Sequence, residues 1–279
     1  MSTSEVLTRS AEHLLIPTQW YKDYPWLIAG FTTRKQGVSR LPFASFNCAL
    51  HVGDNEQDVM TNRQRLVERL GMSLEDMVCG EQVHGAELYY VKPGDKGRGS
   101  RGSDSAIPGV DGLYTDYPSI LLTSFYADCV PLYLIDVRLK VVGLAHAGWR
   151  GTVAEIGPKM VKRWQAQFGS RPEEIKVLIG PAIGGCCYEV DDRVINALGS
   201  MMPRLSEGVI RDKEGGKYML DLKQINYDLL IHTGIPGSNI DISQWCTSCR
   251  PDLFFSYRKE QGRTGRMASF IAIRQKSAQ

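Results

Sequence analysis

The 279-residue chain has no excess charge of one sign, no long apolar run, few histidines and no nucleotide-binding signature in a strand-to-helix setting. Thirty-three Lys and Arg against 31 Asp and Glu leave +2, too little to draw the protein to nucleic acid or to an acidic membrane. No stretch approaches the roughly 18 apolar residues of a membrane span, and MSTSEVLTRSAEHLL carries no basic segment followed by an apolar core. No GxGxxG leads from a strand into a helix, and neither GxxxxGK[ST] nor GxSxG occurs, which disfavours dinucleotide, P-loop and α/β-hydrolase chemistry. Seven cysteines, an odd number, show no disulfide-framework spacing, so a reducing compartment is expected and the protein is read as cytoplasmic. Cys246 and Cys249 form CTSC, half a metal site or a redox pair with no second CxxC to complete it. The adjacent Cys186 and Cys187 are read as packing residues, with pocket lining as a second role.

What is present is the composition of an ordinary globular protein, 43% hydrophobic and 23% charged, in a length suited to one large domain. No repeat or composition break divides it, so residues 1–279 are expected to form one catalytic domain. Only KPGDKGRGSRGSDSAIPG, 92–109, resembles a linker, and its glycine, serine and charge predict a mobile surface loop, beside the pocket or simply solvated. Strands are expected at WLIAGFTTR, through MVCGEQVHGAELYYV around His84, in the two apolar runs on either side of Asp128, and at IKVLIGP, KYMLDL and MASFIAI. Helices are expected over 55–72, over 151–169 with strain at Gly157 and Pro158, over DDRVINALGSMM with Asp191 or Asp192 as cap, and over KQINYDLLIHTG. Strands and helices in this mixture give an α/β or α+β layered domain.

Three residues stand in unusual contexts: His84 in EQVHG, Cys129 in ADCVP and His146 in LAHAGWRG. A histidine or an intracellular cysteine on its own is usually a packing residue. Cys129 and His146 sit at the ends of apolar runs beside a glycine-rich turn, where rigid scaffolds present reactive groups. Spacings of 45 and 17 residues mean that all three must converge from different elements. Three schemes use such a set: zinc with one open coordination position, a Cys129 thiolate activated by His146 or His84, or a copper ion on two imidazoles and a thiolate. Ligand type leaves the three open. Five histidines in all, without an HxH pair, are too few for the blue and trinuclear centres of a multicopper oxidase, although Cu2+ can still occupy the trio.

QVHG, DGLYTDYPSILLTSFYADCVPLYLID, GLAHAGWRGT, IGPAIGGCCYEV, YMLDL and FFSYRKEQGRTGRMASFI, in this order, closely resemble the YfiH-like, laccase-domain ("polyphenol oxidase") family from about residue 31 to the end. The resemblance implies a layered α/β/β/α fold with mixed sheets, related to a toxin-type cysteine hydrolase. It also implies Zn2+ on His84, Cys129 and His146; adventitious Cu2+ at the same trio follows only from its higher intrinsic affinity. The implied activity is phosphorolysis of inosine, adenosine, guanosine and methylthioadenosine to base and ribose 1-phosphate, with adenosine deamination beside it. An amidase or editing hydrolase acting on cell-wall precursors is the alternative attached to some relatives.

Chemistry then nominates further residues. Deamination needs a carboxylate to move protons, and Asp128 is the candidate, with a structural hydrogen-bonding role as its competitor. Phosphate calls for arginine. Arg150 ranks first by its nearness to His146, ahead of Arg34, Arg63, Arg258, Arg263 and Arg266. Asn47 is a candidate for ribose or phosphate, or else a turn former. His51 is a candidate beside it, and Tyr126 or Phe125 would stack on a purine, or else pack in the core.

Overall fold

Apolar residues alternate between two buried faces along the central strands, and this pattern sets the architecture. In the computed structural model, which describes residues 5–275, the strands in chain order are β1 (Thr8–Ala11), β2 (Leu14–Ile16), β3 (Leu27–Thr32), β4 (Met77–Cys79), β5 (Leu88–Tyr90), β6 (Gly112–Thr115), β7 (Leu121–Tyr126), β8 (Val130–Asp136), β9 (Val141–Ala147), β10 (Ile175–Ile179), β11 (Glu189–Asp191), β12 (Ile210–Lys213), β13 (Lys217–Leu220), β14 (Ile240–Ile242) and β15 (Met267–Ile273). The α-helices are α1 (Thr18–Asp23), α2 (Glu56–Arg69), α3 (Trp149–Val153), α4 (Ile156–Phe168), α5 (Asp192–Ala197) and α6 (Leu222–Ile231).

One six-stranded sheet runs β1-β2-β3-β15-β7-β4 and a second runs β14-β10-β8-β9-β6-β5, while β11-β13-β12 make a small third sheet. Both large sheets are mixed, with parallel pairs at β4/β7, β10/β14 and β5/β6. In β15, Met267, Ile271 and Ile273 face a core shared with Tyr133, Ile135, Val142 and Leu144 of the second sheet. Ala268, Phe270 and Ala272 turn the other way, onto Leu66 and Val67 of α2. The outer face of the second sheet packs Leu132, Leu134 and Val177 against Met160 and Trp164 of α4 and Ile225 and Leu229 of α6. The layers are therefore α/β/β/α. Period-two alternation with both faces apolar is what a strand buried on both sides requires. Trp164 is fully buried, and cutting such a side chain to Ala costs about 3–5 kcal/mol.

Several local expectations shift. The strand expected through His84 divides into β4 and β5, because β4 belongs to the first sheet and β5 to the second and the chain must cross between them. Gln82 and His84 on that crossing have φ of 56° and 61°, a left-handed conformation that no strand accommodates. The helix expected over 151–169 breaks at Glu155, φ 58°, ahead of Gly157 and Pro158. Pro158 thereby falls in the first turn of α4, where its missing N–H leaves no hydrogen bond unmade. Asp191 stands at the N-cap of α5 without a side-chain cap bond, and Asp192 instead accepts from the Tyr218 hydroxyl at 2.9 Å. Asp221 does cap α6, accepting from Gln224 N.

Segment 92–109 contains two 3-10 turns and buries Ser100 and Ile107. Its backbone bonds to β4, Cys79 N to Arg98 O and Ile107 N to Cys79 O, and the buried Arg63 donates to Gly99 O and Ser100 O at 2.8 and 2.7 Å. Glycine-rich composition hid these anchors, which come from residues distant in sequence. No helix among the described residues is long and apolar enough to cross a membrane.

Candidate metal centre and its pocket

Two crossings between the large sheets meet at one end of the sandwich. The 127–129 turn joins β7 to β8 and carries Asp128 and Cys129; the 80–87 loop joins β4 to β5 and carries His84. His146, near the end of β9, is paired with Pro131 across the β8/β9 ladder. One donor atom from each of His84, Cys129 and His146 lies within 4.8 Å of the other two, and the imidazole centroids stand 4.9 Å apart. Gly148 makes room for the cluster, since a Cβ there would lie 3.1 Å from Cys129 Sγ and 3.2 Å from His84 Cδ2. Two imidazoles and a thiolate on three separate elements, open to a pocket, match a catalytic zinc set with one free position.

Asp111, just before β6, assembles this set. Its carboxylate accepts from His84 N at 3.0 Å and Gly85 N at 2.7 Å, which holds the strained loop in place. Its Oδ1 also meets His146 Nδ1 at 2.8 Å, so Nε2 of that ring is left for a metal. Burial alone would push the Asp111 carboxyl up; the bonds from His146 and the loop N–H groups bring it below its ordinary range. Burial also opposes charge on Cys129 and His146, and their mutual attraction outweighs it. The thiol is pushed down to about 6 by His146 and His84, while Cys129 and Asp111 raise the imidazole to about 9. The thiolate is thus available to a metal at neutral pH.

A cavity of about 500 Å³ opens beside the trio. His51, Glu81, Gln82, Phe125, Asp128, Trp149, Arg150, Tyr188, Tyr257, Arg258 and Arg266 contribute to its wall. Gln82 clamps its loop to the end of β7, its amide exchanging bonds with Phe125 O and N at 2.9 and 2.7 Å. Arg150 stacks on Trp149, 4.5 Å from the ring centroid, and its guanidinium has no protein acceptor among the described residues. Arg258 and Arg266 also reach the pocket but donate to Glu189 O and to Thr264 O and Gly265 O. His51 is exposed as a residue, but protein packed around its ring and the neighbouring Arg266 and Arg63 hold the imidazole down to about 4, so it is neutral at pH 7.

Three nominated residues have other employment. Asp128, φ 89°, accepts from Thr247 Oγ1 at 2.6 Å, Ser256 Oγ at 3.0 Å and Arg258 N at 2.7 Å, so the carboxylate that was to move protons ties three pocket segments together. Asn47 is fully buried, bonded to Ala49, Asp54 and Arg266 N, and does not face the pocket. Tyr126 is 1% exposed, packed edge-on to His146 with its hydroxyl on Ala145 O. Strand alternation puts its neighbour Phe125 at the wall instead. Of the other arginines, Arg63 stacks under Phe125, Arg34 pairs with Glu260, and Arg263 lies off the pocket. Sequence reasoning missed Asp111 and Gln82; both lie inside recognisable motifs, but only the fold reveals that they serve the trio.

A pocket whose reactive end is a His–Cys–His cluster able to hold a metal ion, set between two mixed sheets, defines a class of α/β/β/α proteins with a candidate metal centre. The profile of the family described as "Multi-copper polyphenol oxidoreductase laccase" matches residues 28–274, and the chain belongs to that family. It is 50% identical over 248 residues, 89% of this chain and 90% of the relative, to "Purine nucleoside phosphorylase YlmD" of Geobacillus stearothermophilus. A protein of the same name from Bacillus subtilis is 41% identical over 89% of each chain. The crystal structure of YlmD from Geobacillus stearothermophilus superposes with a TM-score of 0.92 at 45% identity, over 98% of this chain and all of that one. That of the hypothetical protein YfiH from Bacillus licheniformis gives 0.93 at 42% identity, over 96% and 99%.

Proposed function

We propose that this chain is a zinc-dependent purine nucleoside phosphorylase with adenosine deamination as a side activity. The observation that carries the reading is the His84/Cys129/His146 cluster opening directly onto a cavity lined by arginines and aromatic rings. It is supported by relatives named for that activity. Bound zinc would supply a Lewis acid at the open position beside substrate oxygen.

The chain's own residues supply the rest. Arg150, held by Trp149 and without a protein acceptor among the described residues, grips phosphate for attack on the sugar C1′ as the bond to the base breaks. Trp149, Tyr188, Tyr257 and Phe125 line the pocket and supply aromatic surface for the purine. Neutral His51 offers one donor and one acceptor to ribose hydroxyls. Glu81 lines the pocket with its Oε2 accepting from Gly109 N at 2.8 Å, and the proton-moving role in deamination passes to its carboxylate from Asp128.

A second reading rests on Cys129, His146 and Asp111, which also line up as nucleophile, base and orienting carboxylate for a phosphate-independent amidase. His84 favours the first reading, since a second imidazole against the thiolate has no task in such a triad and an obvious one around a metal.

The test is a nucleoside panel with and without phosphate on wild type and His84→Ala, alongside metal analysis. Phosphate-dependent loss of inosine in wild type and its absence in the variant support the proposal. Turnover of amide substrates with no action on nucleosides rejects it.

A further inference from the structure

Outside the pocket, four cysteines that are far apart in sequence come together. Cys186 and Cys187 lie on the turn before β11, and Cys246 and Cys249 on the turn after β14; one Sγ from each lies within 4.8 Å of all the others. Cys249 Sγ is 3.4 Å from Cys187 Sγ and 3.6 Å from Cys186 Sγ. These separations are too long for a disulfide, whose sulfurs stand about 2.05 Å apart. They are close to the edge of a tetrahedron, because four thiolates at about 2.3 Å from one ion stand about 3.8 Å from each other.

The surrounding backbone is shaped for sulfur. Gly184 N donates to Cys246 Sγ at 3.2 Å, and a Cβ on Gly184 would come within 3.3 Å of Cys186 Sγ and of Cys246 Cβ. Buried Lys223, its Nζ on Ser243 O and Trp245 O, places a cation near a cluster that would carry net negative charge with its ion bound. We propose that Cys186, Cys187, Cys246 and Cys249 form a second, structural zinc site, closed by four thiolates and distinct from the pocket cluster. Binding replaces four S–H protons by four Zn–S bonds and releases those protons to solvent, with no change of oxidation state.

The site reaches the pocket through one residue. Thr247, between the two cysteines of CTSC, pairs with Ala182 through its N–H and with Asp128 through its hydroxyl. Asp128 is the neighbour of Cys129, so the ion would fasten the chain on which the pocket wall hangs. This proposal is independent of which reaction the pocket performs.

Metal analysis of purified wild type, Cys249→Ser and His84→Ala tests it. The expected content is about two zinc ions per chain in wild type and about one in each variant, since each loses a different ion. Zinc content that Cys249→Ser leaves unchanged overturns the proposal. Thiol labelling of native wild type needs no variant to fold. Cys186, Cys187 and Cys249, all at least partly exposed, should resist a thiol reagent until a strong chelator is added. Immediate labelling of the zinc-loaded protein, or a disulfide among them in unreduced peptides, overturns it.

Discussion

Asp111 Oδ1 sits 2.8 Å from His146 Nδ1, and the same carboxylate holds the backbone of His84 and Gly85. One residue therefore orients two of the three candidate metal ligands. Asp111→Ala should weaken zinc binding at the pocket by about 10–100-fold while all three ligands remain. Competition with a chromophoric chelator measures this; unchanged affinity would mean that the ligands orient themselves.

The Cys129/His146 pair gives metal-free protein a distinctive pH dependence. Cys129 is depressed on folding, so its contribution is full above its ordinary thiol range and is lost as pH falls through about 6. His146 is raised, so its contribution is full below the ordinary imidazole range and is lost as pH rises through about 9. Between those limits metal-free protein holds the pair as thiolate and imidazolium, so thiolate absorbance in the ultraviolet, read as chelator-treated wild type minus Cys129→Ser, should grow in as pH rises through about 6. A thiol that ionises only in its ordinary range near 9 would show that the pair is not charged.

Asp128 organises the pocket by receiving three hydrogen bonds. Asp128→Asn turns an N–H group toward at least one of those donors and should cost about 2–4 kcal/mol of stability. Denaturant unfolding checks this. A variant as stable as wild type but inactive only in deamination would restore the proton-moving role to Asp128.

Arg150→Ala should raise the phosphate KM by about 10–100-fold, the loss expected for a charge-assisted bond, with Arg150→Lys between it and wild type. Initial rates against phosphate at saturating inosine provide the comparison. An unchanged KM would pass the role to Arg258 or Arg266.

Much of this was legible in the sequence, for reasons that also mark where legibility ended. β15 occupies MASFIAI because its alternating apolar side chains fill two cores, and the runs flanking Asp128 became β7, β8 and β9 for the same reason. The trio was visible because His and Cys in glycine-rich turns are unusual. Its neighbours were not: Tyr126 and Phe125 differ only in which face of β7 they occupy, and Asn47 became a buried clamp for a strand more than two hundred residues away. In the sequence the four cysteines form two unrelated pairs, because nothing in local spacing tells that the turns after β10 and β14, neighbours in one sheet, finish side by side.

Product identity tests the central claim most directly. Wild-type protein incubated with inosine and phosphate should form hypoxanthine and ribose 1-phosphate in equal amounts, the latter followed by phosphorus NMR, with none formed after zinc is removed. Hypoxanthine with free ribose, or no base release by the metal-loaded protein, would contradict it.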